Sequence, residues 1–206
     1  MRRVGIDEAG RGCVIGSLWV CAFAVDVPAD DALLRRLGAR DSKAIDEAKR
    51  RVAVERLRTV GTFHVVECTA AELDAGNVNH VEEAAIVGLL RDLVPDAVAI
   101  DALGPPAALE RICARLAKEG RCKAPIVMQP KADRDLPVVG AASLMAKLSR
   151  DDALVPLRAA WGDFGSGYPS DPVTRRWMAD HAASGQPWPP FVRTKWATVR
   201  DLEAGR

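Results

Sequence analysis

At 206 residues, 49% of them apolar and 28% charged, the chain has the make-up of an ordinary globular protein with one sizeable core. No stretch approaches the roughly 20 uninterrupted apolar residues of a membrane helix, and the acidic pair Asp7-Glu8 interrupts the N-terminal region before a signal-length apolar run can form, so the expectation is a cytoplasmic protein with no membrane partner. The formal net charge of +1 is unevenly spread, net −5 over residues 1–110 and net +6 over residues 111–206, which points the C-terminal half toward an anion.

Arg3 to Ile6 reads as a short strand ending at Asp7-Glu8, after which Gly10, Gly12 and Gly16 break the chain. Residues 18–25 (LWVCAFAV) are continuously apolar and rich in β-formers, the pattern of a strand buried on both faces. Asp46 to Arg58 has helical potential, and Phe63 to Cys68 is a further strand. Val81, Ala85, Leu89 and Leu93 recur at helical spacing, Ala97 to Ile100 forms a strand running into Asp101, and Leu109, Ile112, Cys113 and Leu116 mark one helix face. Pro125 to Met128 is the next strand, followed by a polar turn at residues 131–135 and by Ala141, Leu144, Met145 and Leu148 at helical spacing. Residues 162–172 form a loop dense in Gly, Pro and Ser, and the tail from Thr174 reads as helical, interrupted by Pro187, Pro189 and Pro190. Three early strands, then alternating helices and strands, then helices describe a mixed-sheet α/β domain with a helical C-terminal extension.

Four carboxylates stand at or after strand ends in this reading: Asp7, Glu8, Asp101 and Asp133. Taken singly, each aspartate could equally form a turn or cap a helix. If their strands are neighbours in one sheet, the four meet in a cluster that repels itself unless cations are present. All-oxygen donors suit hard ions such as Mg²⁺, and two such ions about 4 Å apart would activate a water and stabilise a leaving oxygen in phosphodiester hydrolysis.

Several segments are recognisable. Residues 5–12 (GIDEAGRG) resemble the signature of ribonuclease HII, the type 2 ribonucleases H. In family order there follow Asp41-Ser42-Lys43, Asn79 with Glu82 at a helix start, Lys131-Ala132-Asp133, residues 141–151 (AASLMAKLSRD) and residues 165–172 (GSGYPSDP). Pro190-x-Val192-Arg193-x-x-Trp196 also looks familiar, and the Tyr-containing loop and Trp-containing tail look more like the archaeal and eukaryotic branch. The resemblance spans nearly the whole chain. It implies a ribonuclease H-like mixed five-stranded sheet flanked by helices, with residues 1–160 as the catalytic domain and residues 161–206 as a substrate-contacting loop and helical region packed on it. It implies metal binding and catalysis by Asp7, Glu8, Asp101 and Asp133 with Mg²⁺ or Mn²⁺. The implied substrates are RNA/DNA hybrids and duplex DNA containing ribonucleotides, cut on the 5′ side of a ribonucleotide to leave 3′-hydroxyl and 5′-phosphate ends. Gly10, Arg11 and Gly12 would read the 2′-hydroxyl through main-chain groups, Tyr168 would pack on the neighbouring sugar, and Ser42 and Lys43 would hold phosphate. Two departures stand out: Asp101 is followed by Ala102-Leu103 where many members have D-G or D-A-A, and Cys13 occupies a position that is often proline.

Other residues point less clearly to chemistry. The five cysteines are odd in number, scattered and without a C-x-x-C pair, so buried reduced thiols are expected. His64, His80 and His181 have no histidine at i+3 or i+4, which argues against a histidine metal site. Trp161, Trp177, Trp188 and Trp196 are expected to be core for at least three of the four, Lys147 and Arg150 to lie on a solvated or salt-bridged helix face, and Asp151 to orient that helix. Residues 201–206 carry no aromatic clamp-binding motif, so no protein partner is inferred and a monomer is expected. Two rival readings fit the sequence less well. A dinucleotide-binding turn at Gly10-x-Gly12 needs a helix next, where a β-rich run stands instead. A non-catalytic nucleic-acid-binding protein on the same fold would gain nothing from four carboxylates facing phosphates.

Overall fold

The computed structural model describes residues 1–27, 29–39 and 45–205. In chain order its elements are β1 (Arg2–Ala9), β2 (Leu18–Asp26), α1 (Asp31–Leu37), α2 (Glu47–Leu57), β3 (Gly61–Cys68), α3 (Ala70–Ala75), α4 (Val78–Leu93), β4 (Ala97–Asp101), α5 (Pro106–Glu119), β5 (Ile126–Gln129), α6 (Ala132–Asp135), α7 (Pro137–Trp161), α8 (Pro172–Ser184) and α9 (Ala197–Ala204). The sheet order is β3-β2-β1-β4-β5. β2 runs antiparallel to both β1 and β3, whereas β1, β4 and β5 are parallel. This is the mixed five-stranded sheet flanked by helices that the resemblance implies.

Sequence periodicity explains the layers. β1 and β2 are buried on both sides because helices cover both faces. On one face Val4, Ile6, Val20 and Ala22 pack with Ile86, Leu89 and Leu90 of α4 and with Ile112 and Leu116 of α5. On the other, Cys21, Phe23 and Val25 pack with Leu34 of α1, Val54 and Leu57 of α2, and Val139, Ala142 and Leu144 of α7. α7 lies almost directly on β1: a Cβ on Gly5 would fall 2.2 Å from the Val138 carbonyl, so only glycine fits there. A third cluster joins Val14 and Ile15, from the turn after β1, to Leu154, Phe164, Met178, Val192 and Val199. A bridge between Ile15 and Val192 adds to it.

Three sequence expectations need correction. The first strand does not stop at Ile6; it runs through Ala9, since Asp7, Glu8 and Ala9 stay paired with Cys21, Val20 and Trp19, and the acidic pair therefore lies inside the strand. α1 and α3 escaped the periodic reading because each is very short, yet both are locally capped. Asp30 accepts from the Leu33 N–H, and Thr69 and Glu72 form a reciprocal capping box. α8 begins at Pro172, capped by Asp171 with proline at its first position, so part of the presumed loop is helical. Residues 186–196 are not helical, in keeping with the interruption expected at Pro187, Pro189 and Pro190.

Cys13, Cys21 and Cys68 are buried, Cys113 and Cys122 half-buried, and all five are free thiols. Trp177, Trp188 and Trp196 pack against the third cluster, while Trp161 is exposed. His181 stacks on Trp177 with ring centroids 5.3 Å apart.

Candidate active site

The turn leaving β1 is shaped by one glycine and clamped by one arginine. Gly10 has φ +91°, and a Cβ there would lie 2.7 Å from the Ser17 carbonyl oxygen, so the fold itself demands glycine. Gly12 is different. It is exposed, has no left-handed φ, and a Cβ would meet the Tyr168 ring at an ordinary 3.6 Å. Nothing in the fold requires glycine at position 12. Arg193, fully buried, holds the turn from the far end of the chain: Nη2 donates to the Gly10 carbonyl (2.6 Å), Nη1 to that of Arg11 (3.0 Å) and Nε to that of Gly16 (2.9 Å). Its guanidinium lies over the Trp196 ring at 5.1 Å, and burial draws its pKa down to about 10.

Asp7, Glu8, Asp101 and Asp133 line one cavity of about 210 Å³, together with Gly10, Arg11, Gly12, Ser143, Lys147 and Tyr168. The sheet order does this: β1 and β4 are parallel neighbours with Ile6 beside Ile100, so Asp7 and Asp101 end up side by side, and β5 delivers α6 to the same end. Successive strand residues point to opposite faces. Asp7 thus shares the α7 side with Gly5 and is hydrogen-bonded by Ser143, while Glu8 shares the α4 side with Ile6. Burial, then the charge of Glu8, holds the Asp7 carboxyl well above the usual carboxylate range, and burial and Asp101 raise Glu8 as well. The Glu8 N–H donates to Asp7 Oδ1 at 2.8 Å. Asp101 Oδ1 accepts from the Ala132 N–H at 2.8 Å, so this aspartate also caps the turn that carries buried Asp133.

The fit to divalent cations rests on these observations. The donors are all oxygens, and like charges crowd a partly buried space. The cations in the wall are committed to other partners. Arg11 donates to Glu82 (2.7 Å) and to the Asn79 side chain, and Lys147 pairs with Asp151, which Arg50 also contacts at 3.1 Å. As the side chains stand, no group of three or more His, Cys, Asp and Glu among the described residues is gathered as an ion cage. The donor set fits hard cations in chemistry, with the four carboxylates around one cavity.

Tyr168 is presented by a heavily bonded loop. The Asp171 carboxylate accepts from the Ser166 N–H and hydroxyl (both 2.6 Å) and from the Val173 N–H (2.9 Å), which lowers its pKa to about 2. Gly167 donates to Thr174 Oγ1 (2.9 Å) and its carbonyl accepts from the Val14 N–H (2.8 Å). The ring stays 40% exposed, with the Arg150 guanidinium 5.4 Å from its centroid. Arg150 is not solvated: it is 3% exposed, donates to the Ser166 carbonyl at 2.6 Å and lies 4.0 Å from the Asp151 carboxylate. Lys147 does have the expected salt bridge, and Asp151 ties α7 to α2 through Arg50.

Each residue picked from the sequence can now be placed. Asp7, Glu8, Asp101, Asp133, Gly10, Arg11, Gly12 and Tyr168 border the same cavity. Ser42 and Lys43 lie outside the described residues. Ser143, Arg150 and Arg193 were not assigned to the site by sequence reasoning. The motifs containing them were visible, but an arginine is normally a surface residue, and only burial reveals these two as internal clamps.

Comparison with known proteins agrees with the motifs. The family profile described as Ribonuclease HII matches residues 4–199. A ribonuclease HII from Aeropyrum pernix is 40% identical over 205 residues, covering 97% of this chain and 89% of the relative. The crystal structure of ribonuclease H2 from Pyrococcus horikoshii superposes with a TM-score of 0.90 at 32% identity, covering 100% of this chain and 98% of that one. The ribonuclease HII of Archaeoglobus fulgidus, solved as a complex with PCNA, superposes with a TM-score of 0.86 at 35% identity, covering 97% and 96%. That protein partnership belongs to the relative and exceeds what the last residues of this chain suggest. A full-length family match, joined to this sheet and this acidic cavity, shows that the chain belongs to the ribonuclease HII family of ribonuclease H endonucleases.

Proposed function

We propose that this chain hydrolyses the RNA strand of RNA/DNA hybrids and cuts on the 5′ side of ribonucleotides embedded in duplex DNA, leaving 3′-hydroxyl and 5′-phosphate ends, in ribonucleotide and RNA-primer removal. The reading includes a monomer acting in the cytoplasm, with residues 1–160 as the catalytic domain and 161–206 as the substrate-contacting region. The observation that carries it is the common cavity bordered by four carboxylates, the Gly10–Gly12 main chain and the Tyr168 ring.

Asp7, Glu8, Asp101 and Asp133 are the residues that would hold divalent cations. Mg²⁺ or Mn²⁺ bound as a pair supplies Lewis-acid chemistry there, lowering the pKa of water and neutralising charge on the phosphate and leaving oxygen. The protein's part is placement. Main-chain groups of Gly10 to Gly12, held by Arg193, meet the ribose where a 2′-hydroxyl distinguishes RNA from DNA. Tyr168 packs on the sugar beside the junction, and Ser42 and Lys43 hold phosphate. Arg11 contributes through its main chain, its side chain being spent on Glu82 and Asn79.

The test is a duplex carrying one ribonucleotide, incubated with and without Mg²⁺ and mapped at nucleotide resolution. A single metal-dependent cut 5′ of the ribonucleotide is expected. Binding without cleavage in Mg²⁺ or Mn²⁺ would favour a non-catalytic nucleic-acid-binding protein instead. Tyr168→Ala is expected to harm cleavage at a single ribonucleotide more than cleavage of long hybrids, and equal loss on both would remove Tyr168 from junction reading. Gly12→Ala should fold with an unchanged melting temperature, because its methyl meets only an ordinary contact. It should nevertheless raise KM by about tenfold or more, since about 1.4 kcal/mol of lost approach suffices for that. Unaltered KM would mean that the ligand does not approach the main chain at position 12.

A further inference from the structure

Beneath Tyr168 lies a residue that the proposed reaction does not use. Cys13 is fully buried, one position past Gly12, where the resemblance often has proline. Its N–H closes the turn onto the Gly10 carbonyl at 3.2 Å, a bond proline lacks. Its sulfur is the meeting point of two groups: Arg150 Nη2 lies 3.0 Å away, and the Tyr168 hydroxyl lies within reach of it. Arg150 in turn covers the Tyr168 ring and donates to the Ser166 carbonyl of the Tyr168 loop. The guanidinium is short of acceptors, its Nε having no hydrogen-bond partner, so the sulfur is a contact it cannot readily replace.

We propose that Cys13 is a positioning residue for Tyr168: its sulfur fixes the tyrosine hydroxyl and, through Arg150, the ring, so the angle of the exposed ring face over the cavity is set by this thiol. A tyrosine ring alone could swing about χ1 and χ2; held at its hydroxyl and along its face, it meets a sugar in one orientation. Such restraint matters most where a lone ribonucleotide is the only mark to be read, and least on a long hybrid with many acceptable registers. The inference rests on the reading of Tyr168 as the residue packed beside the junction.

The experiment compares cleavage of a duplex with one ribonucleotide against cleavage of a long hybrid, for Cys13→Ala, Cys13→Ser, Tyr168→Phe, Tyr168→Ala and the double variant Cys13→Ala/Tyr168→Phe, with melting temperatures recorded alongside. Cys13→Ala and Tyr168→Phe should each lower the single-ribonucleotide to hybrid ratio about fivefold, the worth of one ordinary hydrogen bond. The double variant should fall no further than either single one, because both remove the same contact. Cys13→Ser should recover most of the ratio. If Tyr168→Ala lowers the ratio while Cys13→Ala leaves it at the wild-type value, the positioning role is wrong and the Tyr168 reading stands. If Tyr168→Ala lowers both substrates equally, that reading fails first and the Cys13 role with it. A Cys13→Ala variant that melts early and loses both activities in proportion would show only a packing role and would also overturn the proposal.

Discussion

Replacing Asp7 with asparagine is expected to lower cleavage by about a thousandfold or more, the scale of removing a preorganised charge from a phosphoryl-transfer site, while making the cation-free protein more resistant to heat. The two effects share one cause. Asp7 is buried beside Glu8, and its folded pKa stands well above that of an exposed aspartate. A carboxyl raised in this way favours folding only at pH below its unfolded pKa, and that contribution is lost as pH rises through the folded value. Ionising this carboxyl in the folded protein is therefore a cost, and asparagine of the same shape removes it while still accepting the Glu8 N–H. The melting temperature without divalent ions should rise by several degrees, each kcal/mol being worth roughly 2–4 °C in a domain of this size. Asp101→Asn is the companion variant, because its amide oxygen can keep the cap on Ala132 while activity is lost. Paired cleavage assays and thermal melts check both. Near-normal turnover in either variant would rule that residue out as an ion ligand, and an Asp7→Asn protein that melts lower would contradict the account of its burial.

Arg193→Ala is expected to be the most damaging change far in sequence from the carboxylates. It removes a side-chain donor from three carbonyls, of which that of Gly10 keeps the Cys13 N–H, leaves a cavity at the junction of the β1 turn with the C-terminal region, and removes the contact with Trp196. The cost should be about 3–5 kcal/mol, seen as a melting temperature lower by roughly 10 °C. Cleavage should fall about a hundredfold even at temperatures where the variant is folded, since displacing the Gly10–Gly12 main chain by about 1 Å misplaces the ribose. Arg193→Lys should rescue only part of either property, because one ammonium cannot reproduce a planar fork that reaches three carbonyls. Steady-state kinetics below the melting transition separates the two effects. Unchanged kcat/KM in a folded Arg193→Ala protein would show that the turn holds its shape without the clamp.

What could be read from the chain follows the range of the forces involved. Residues 18–25 announced a strand buried on both faces because burial on both faces leaves every position apolar, and α4, α5 and α7 announced themselves by apolar spacing. Asp101 at a strand end and Asp133 just past another were legible for the same reason, as were the motif segments that carry the family resemblance. The sequence alone therefore determined the class of fold, the family and the identities of the acidic residues.

Tertiary structure decided the rest. The parallel pairing of β1 with β4 sets Asp7 beside Asp101, and no local pattern encodes which strands will be neighbours. Pairing with β2 extends β1 through the acidic pair, so Asp7 and Glu8 lie inside the strand instead of following it as a turn. The distinction between Gly10, which the fold requires, and Gly12, which it does not, appears only when the neighbouring atoms are in place. Arg193 reaches the Gly10 carbonyl from 183 residues away, and Arg150 reaches Cys13 from 137. Propensity and periodicity act over a few residues, whereas these contacts depend on the packing of whole elements, so the site's clamps became visible only once the chain had closed on itself.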